Sequence, residues 1–141
     1  MLHFVSYRRM KKLFSTFAIA ALFAMNVAAE DAKFQNISTA DLKKAIAEKK
    51  VALIDVNGTD SWKEGHIPGA IDFEAQQARL AKMLPADKNA LVVAYCWNEG
   101  CPAYKTAARA AKELGFKNVK HYAAGIEGWS KKEKTEKPSG Y

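Results

Sequence analysis

Leu91-Val92-Val93-Ala94-Tyr95-Cys96-Trp97-Asn98-Glu99-Gly100-Cys101 is the stretch on which the fold turns. Its first five residues form an apolar run with β-branched and aromatic members, the pattern of a buried strand. The run stops at a cysteine, and a short loop holding Gly100 and Pro102 follows. Residues 103–114 are then rich in strong helix formers, with Gly115 placed to stop the helix. This order has a chemical consequence. The first amides of a helix lack internal partners, and the helix dipole adds positive potential at that end. A thiol held there has a lowered pKa and a larger thiolate fraction, which makes Cys96 the candidate nucleophile. The competing reading is a cysteine that simply packs, since cysteines are among the most often buried residues.

Upstream, Val51 to Val56 is a second continuous apolar run, the mark of a strand buried on both faces. Between the leader and this strand, residues 34–37 alternate as a short edge strand. Ser38 stands as N-cap of a helix whose Leu42, Ala45, Ile46 and Lys49 share one face. After the strand come a turn at residues 57–60 and the Pro68-Gly69 punctuation before a short strand. Residues 74–83 form a weaker helix. Residues 117–122 read as a further strand, residues 125–129 as a turn and a helical piece, and residues 131–141 as a flexible charged tail. Strands alternating with helices imply an α/β domain over residues 30–130, with a small, mainly parallel sheet and helices on both faces. Ligands of such sheets sit at the carboxyl ends of the strands, where Cys96 falls and where Asp55 can join it.

The first 29 residues do not belong to that domain. Arg8, Arg9, Lys11 and Lys12 precede an apolar run from Leu13 to Ala28, closed by the small residues Val27-Ala28-Ala29. This is the form of a secretory signal peptide, with Met1 or Met10 as the start, and it predicts a periplasmic or secreted protein with no stable membrane insertion after cleavage. The leader holds four of the 22 basic residues and none of the 15 acids, so the mature chain carries 18 against 15, or +3. Such a balance gives no footprint for nucleic acid. The two cysteines, Cys96 and Cys101, are too close to staple a fold. With three scattered histidines they make no zinc site, so no metal is expected.

Five segments in order now resemble a known family: residues 53–56 (Leu-Ile-Asp-Val), 65–70 (Gly-His-Ile-Pro-Gly-Ala), 92–96, 114–119 (Leu-Gly-Phe-Lys-Asn-Val) and 125–129 (Gly-Ile-Glu-Gly-Trp). Together they are similar to a single-domain rhodanese, a sulfurtransferase, over about residues 34–130. The resemblance implies that Cys96 takes sulfane sulfur from a small donor and carries it as a persulfide to a thiol or protein acceptor. It also implies that the loop amides of Trp97, Asn98, Glu99, Gly100 and Cys101 cradle the anionic sulfur, without metal or organic cofactor.

The pattern departs from the family at two places. Asn57 stands where the family usually has an arginine, and the loop carries Glu99 and no basic side chain, leaving Lys105 as the cation placed to reach back. Thiosulfate, a dianion, is therefore a poor match. Cysteine phosphatases of the same fold need an arginine at the position of Pro102, which sets them aside. Cys101 reads either as a small residue opening the helix or as a resolving thiol for Cys96. Asp55 reads either as an orienter of the loop or as a cap for a nearby amide. His66 is expected to hold loop backbone, Trp62 and Trp129 to pack, and Trp97 to wall a pocket. Two other functions compete with sulfur transfer: a thiol–disulfide protein using Cys96 and Cys101, and a non-catalytic binding module.

Overall fold

The computed structural model describes residues 33–139; the segment read as a signal peptide lies outside the described residues. Five strands form one sheet: β1 (Gln35–Asn36), β2 (Val51–Asp55), β3 (Ile71–Asp72), β4 (Leu91–Tyr95) and β5 (Asn118–Tyr122). All pairs are parallel and the order is β1-β5-β4-β2-β3. The two apolar runs therefore lie side by side at the middle, with Asp55 in register with Tyr95. From β2 the chain leaves toward β3, and from β4 it leaves toward β5 on the other side. Neighbouring strands whose connections diverge open a crevice at their carboxyl ends, and Cys96 follows β4 into it.

The helices are α1 (Thr39–Ala47), α2 (Thr59–Glu64), α3 (Phe73–Gln76), α4 (Leu80–Met83), α5 (Tyr104–Glu113) and α6 (Gly125–Ser130). Alternation along β4 sorts its side chains into two cores. Val92 and Ala94 meet Phe73 and Leu80 together with Ala107, Ala108 and Ala111 of α5. Val93 and Tyr95 meet Leu42 of α1 and Ile126 and Trp129 of α6. The helices thus cover both faces, and the run of alanines lets α5 lie close on the sheet. Fully burying a large apolar side chain contributes about 1.5–3 kcal/mol, which is why these short elements hold.

Three local expectations change. The stripe on α1 narrows to Leu42 with half-buried Ala45 and Ile46, because the helix stops at Ala47 and Lys49 turns left-handed with φ of 55°. The helix over residues 74–83 is broken by a 3-10 turn at Gln77–Arg79 into α3 and α4. The charged tail is tied down as far as Glu136. The Trp129 indole donates to the Lys134 carbonyl at 2.9 Å, and His66 and Glu136 exchange backbone hydrogen bonds at 2.9 and 2.8 Å.

Candidate active site

Cys96 is the first residue past β4 and only 4% exposed. Its sulfur is bonded to that of Cys101, with the α-carbons 6.0 Å apart, inside the range a disulfide requires. The loop between them is a local turn built on one residue. The Asn98 carbonyl accepts the Cys101 amide at 3.1 Å, and its side-chain oxygen accepts the Gly100 amide at 3.1 Å. Two of the five amides expected to surround the sulfur are therefore directed at Asn98 in this disulfide state. A change of loop conformation is needed to aim them at Cys96. The Trp97 ring is 53% exposed and stands in solvent instead of walling a pocket.

The base of the loop is fixed from the other side by α6. Ile126 donates its amide to the Cys96 carbonyl at 3.0 Å, and Glu127 donates to the Trp97 carbonyl at 3.0 Å. The first amides of α6 are satisfied by the backbone carbonyls of Cys96 and Trp97. Gly125 makes this approach possible. A Cβ there would lie 2.3 Å from the Trp97 carbonyl oxygen and 2.6 Å from that of Cys96, and its φ is 61°. Sequence reasoning placed a turn at Gly125 and missed this contact. The glycine itself is the single local sign of it, because the demand comes from backbone far away in the chain.

Beneath Cys96 lies a buried polar group of side chains. The Tyr95 hydroxyl donates to Asp55 Oδ2 at 2.5 Å and accepts the Ile67 amide at 3.0 Å. Asp55 Oδ1 accepts the backbone and side-chain N–H of Asn57 at 2.7 and 2.8 Å. Burial pushes the Asp55 carboxyl above its usual range, against the opposing pull of hydrogen bonds from Tyr95 and Asn57 and the nearby His66. Burial, with the Asp55 charge behind it, pushes the Tyr95 phenol up as well, so it remains a donor. The side-chain hydrogen bonds of Asp55 go to Tyr95 and Asn57 and not to the loop after Cys96. Asp55 caps the Asn57 amide and holds the side chain of the residue before Cys96, a positioning role at one remove. Asn57, at the place of the family's arginine, is turned inward onto Asp55.

The remaining candidates fall where their chemistry directs. His66 Nδ1 lies 2.8 Å from the Trp62 carbonyl, and its buried ring stacks on Trp62 at 4.0 Å, a structural role. Trp129 is buried in the core beside Tyr122. Lys105 sits on the first turn of α5, half-buried, its amide donating to the Pro102 carbonyl at 3.1 Å. Outside the loop an open depression of about 470 Å³ is lined by Asn98, Glu99, Glu127 and Lys131, among others. Lys131 pairs with Glu127 at 3.5 Å, so the carboxylates outnumber the ammonium on its walls. Among the described residues no group of three or more His, Cys, Asp or Glu is arranged to hold a metal ion, and no helix is long and apolar enough to cross a membrane.

A parallel five-stranded sheet with helices on both faces and a cysteine at the carboxyl end of its middle strand defines a rhodanese-type domain. Residues 38–132 match the rhodanese-like domain family, and the chain belongs to it. Over 95 residues it is 34% identical to the HTH-type transcriptional regulator Rv0324 of Mycobacterium tuberculosis, a match covering 66% of this chain and 40% of the regulator. It is 29% identical over 97 residues to the thiosulfate sulfurtransferase GlpE of Coxiella burnetii, covering 68% of this chain and 87% of that protein. Among solved structures, the human single-domain sulfurtransferase TSTD1 superposes with a TM-score of 0.53 at 23% identity, over 70% of this chain and 96% of that one. This last likeness concerns the fold.

Proposed function

We propose that the protein is an exported sulfurtransferase that carries sulfane sulfur as a persulfide on Cys96. The observation that carries this reading is the position of Cys96: it follows the central strand into the crevice between diverging connections, with a short loop and the start of α5 immediately after it. The likeness to a thiosulfate sulfurtransferase supports the same chemistry. In the reduced protein, the Cys96 thiolate attacks the outer sulfur of a donor, the donor's own bond to that sulfur breaks, and Cys96–S–S⁻ remains. The loop amides then stabilise the anion.

The donor is one other than thiosulfate. A dianion approaching this loop meets the exposed Glu99 beside a Glu127 already paired with Lys131, and Asn57 offers it no charge. A charge-assisted contact contributes about 1.5–3 kcal/mol, so missing one such contact slows thiosulfate turnover by roughly ten- to a hundredfold. Thiocyanate formation from cyanide tests the reading with thiosulfate, a thiosulfonate and glutathione persulfide as donors. Turnover is expected with the monoanionic thiosulfonate ahead of thiosulfate, and none in Cys96→Ser; transfer persisting in that variant would overturn it. Export predicts a mature chain beginning at Glu30. N-terminal sequencing after expression in an exporting host reads this directly, and a retained Met1 or Met10 contradicts it.

A further inference from the structure

We propose that Cys101 is a resolving residue and that the Cys96 persulfide, when no external acceptor takes it, is converted to sulfide and the Cys96–Cys101 disulfide. The inference rests on the persulfide reading above and adds the fate of the sulfur.

Three observations carry it. The two sulfurs are bonded in the structure, so the short loop brings the Cys101 sulfur to Cys96 with β4, α5 and α6 all formed. Cys96 is almost wholly covered, whereas Cys101 is half-buried at the loop surface. In the closed loop Cys96 Sγ is covered and meets Cys101, so an external thiol is left the outer sulfur of a persulfide while Cys101 reaches the inner one. A tethered thiol also works at an effective concentration of about millimolar or more, ahead of dilute external thiols. The Asn98 turn stabilises the closed loop by taking the Gly100 and Cys101 amides, the donors that an anionic persulfide would otherwise hold.

The step balances without any absent oxidant. The Cys101 thiol passes its proton to the outer sulfur of the Cys96 persulfide and attacks Cys96 Sγ, the Cys96–Cys101 bond forms, the sulfur–sulfur bond of the persulfide breaks, and the outer sulfur leaves as hydrosulfide carrying that proton. The sulfane sulfur is reduced by two electrons and the two cysteines are oxidised by two. Protonation of the outer sulfur makes hydrosulfide, and not sulfide dianion, the leaving group. Return to the active form requires a dithiol reductant, which reduces the disulfide by exchange and is itself left oxidised. The domain therefore stands between a reaction that supplies sulfane sulfur and a dithiol reductase that resets it, with sulfide as the product.

The test uses benzenethiosulfonate, whose leaving group is a sulfinate, so no sulfide comes from the donor. Reduced protein is loaded under argon, desalted, and followed by intact mass and a sulfide assay. Wild type is expected to release one sulfide for each disulfide formed and to end two hydrogens lighter than the reduced chain. Cys101→Ser and Cys101→Ala are expected to keep one added sulfur and release no sulfide until a dithiol is added. If the variants load but wild type also keeps its added sulfur without releasing sulfide, resolution by Cys101 is wrong. If neither variant gains a sulfur, the persulfide reading fails and the resolving step falls with it.

Discussion

Tyr95 and Cys96 are adjacent in the chain, and they are held in opposite ways. The Tyr95 side chain is wholly buried, and its hydroxyl is fixed between Asp55 and the Ile67 amide. From Cys96 onward the chain depends on local turns about Asn98, a disulfide to Cys101 and two backbone contacts from α6. The first region is a frame whose partners come from distant strands and loops. The second is a short segment closed by the bond between two sulfurs. The position of Cys96 and the chemistry of its loop are therefore separable. Charge and cysteines in the loop can vary while the frame keeps Cys96 at the end of β4.

The largest expected effect breaks the junction between the two regions. Gly125→Ala puts a Cβ into the Cys96 and Trp97 carbonyls at a left-handed φ. It should cost about 3 kcal/mol or more, measured by urea unfolding. A loss under about 1 kcal/mol would show that α6 does not press on the loop base.

Tyr95→Phe attacks the frame alone. It strips Asp55 Oδ2 of its donor and leaves the Ile67 amide without an acceptor in a buried site. A stability loss of about 2–4 kcal/mol is expected, with Cys96 still able to take up sulfur where the protein remains folded. Unchanged stability would mean that the frame is held by packing alone.

A third prediction concerns pH. His121 is buried, stacked on Tyr104 at 3.3 Å, with Nε2 lacking a partner, and burial lowers its pKa from 6.5 to about 4. The folded state resists protonation that the unfolded chain accepts. His121 therefore contributes a loss of stability as pH falls from about 6.5 to about 4, and nothing further below that. His121→Phe keeps a ring against Tyr104 and should flatten this acid limb in thermal melts; an unaltered limb would assign it to other groups.

The smallest structural effect is expected in the loop. Glu99→Arg should change stability by less than about 0.5 kcal/mol, because the side chain is exposed, yet raise thiosulfate turnover about tenfold at low salt. Equal turnover in both proteins would remove charge as the reason thiosulfate fits poorly.

These two regions were also unequally legible in the sequence. The β4 run, Cys96 and the α5 pattern declare themselves through local periodicity and composition, and so does the position of Asp55 on the same edge. The Asp55–Tyr95–Ile67 group was not legible, because it joins the side chains of Asp55 and Tyr95, which meet only in register, with the backbone amide of Ile67 from a third segment. Gly125 was legible as a turn and no more. The tail misled for the same reason: its Lys/Glu composition reads as loose, while its attachment comes from backbone pairing of Glu136 with His66, to which composition is blind. The loop amides were assigned from the family's anion cradle, and the disulfide state turns Gly100 and Cys101 toward Asn98 instead.

Intact mass in the Cys101→Ser background tests most directly whether Cys96 carries the sulfur, since no resolving thiol is present to remove the product. After exposure to benzenethiosulfonate under argon and desalting, that protein should gain the mass of one sulfur atom, and the gain should vanish when Cys96→Ser is added. No gain in Cys101→Ser, or a gain that survives loss of Cys96, would rule out Cys96 as the sulfur carrier.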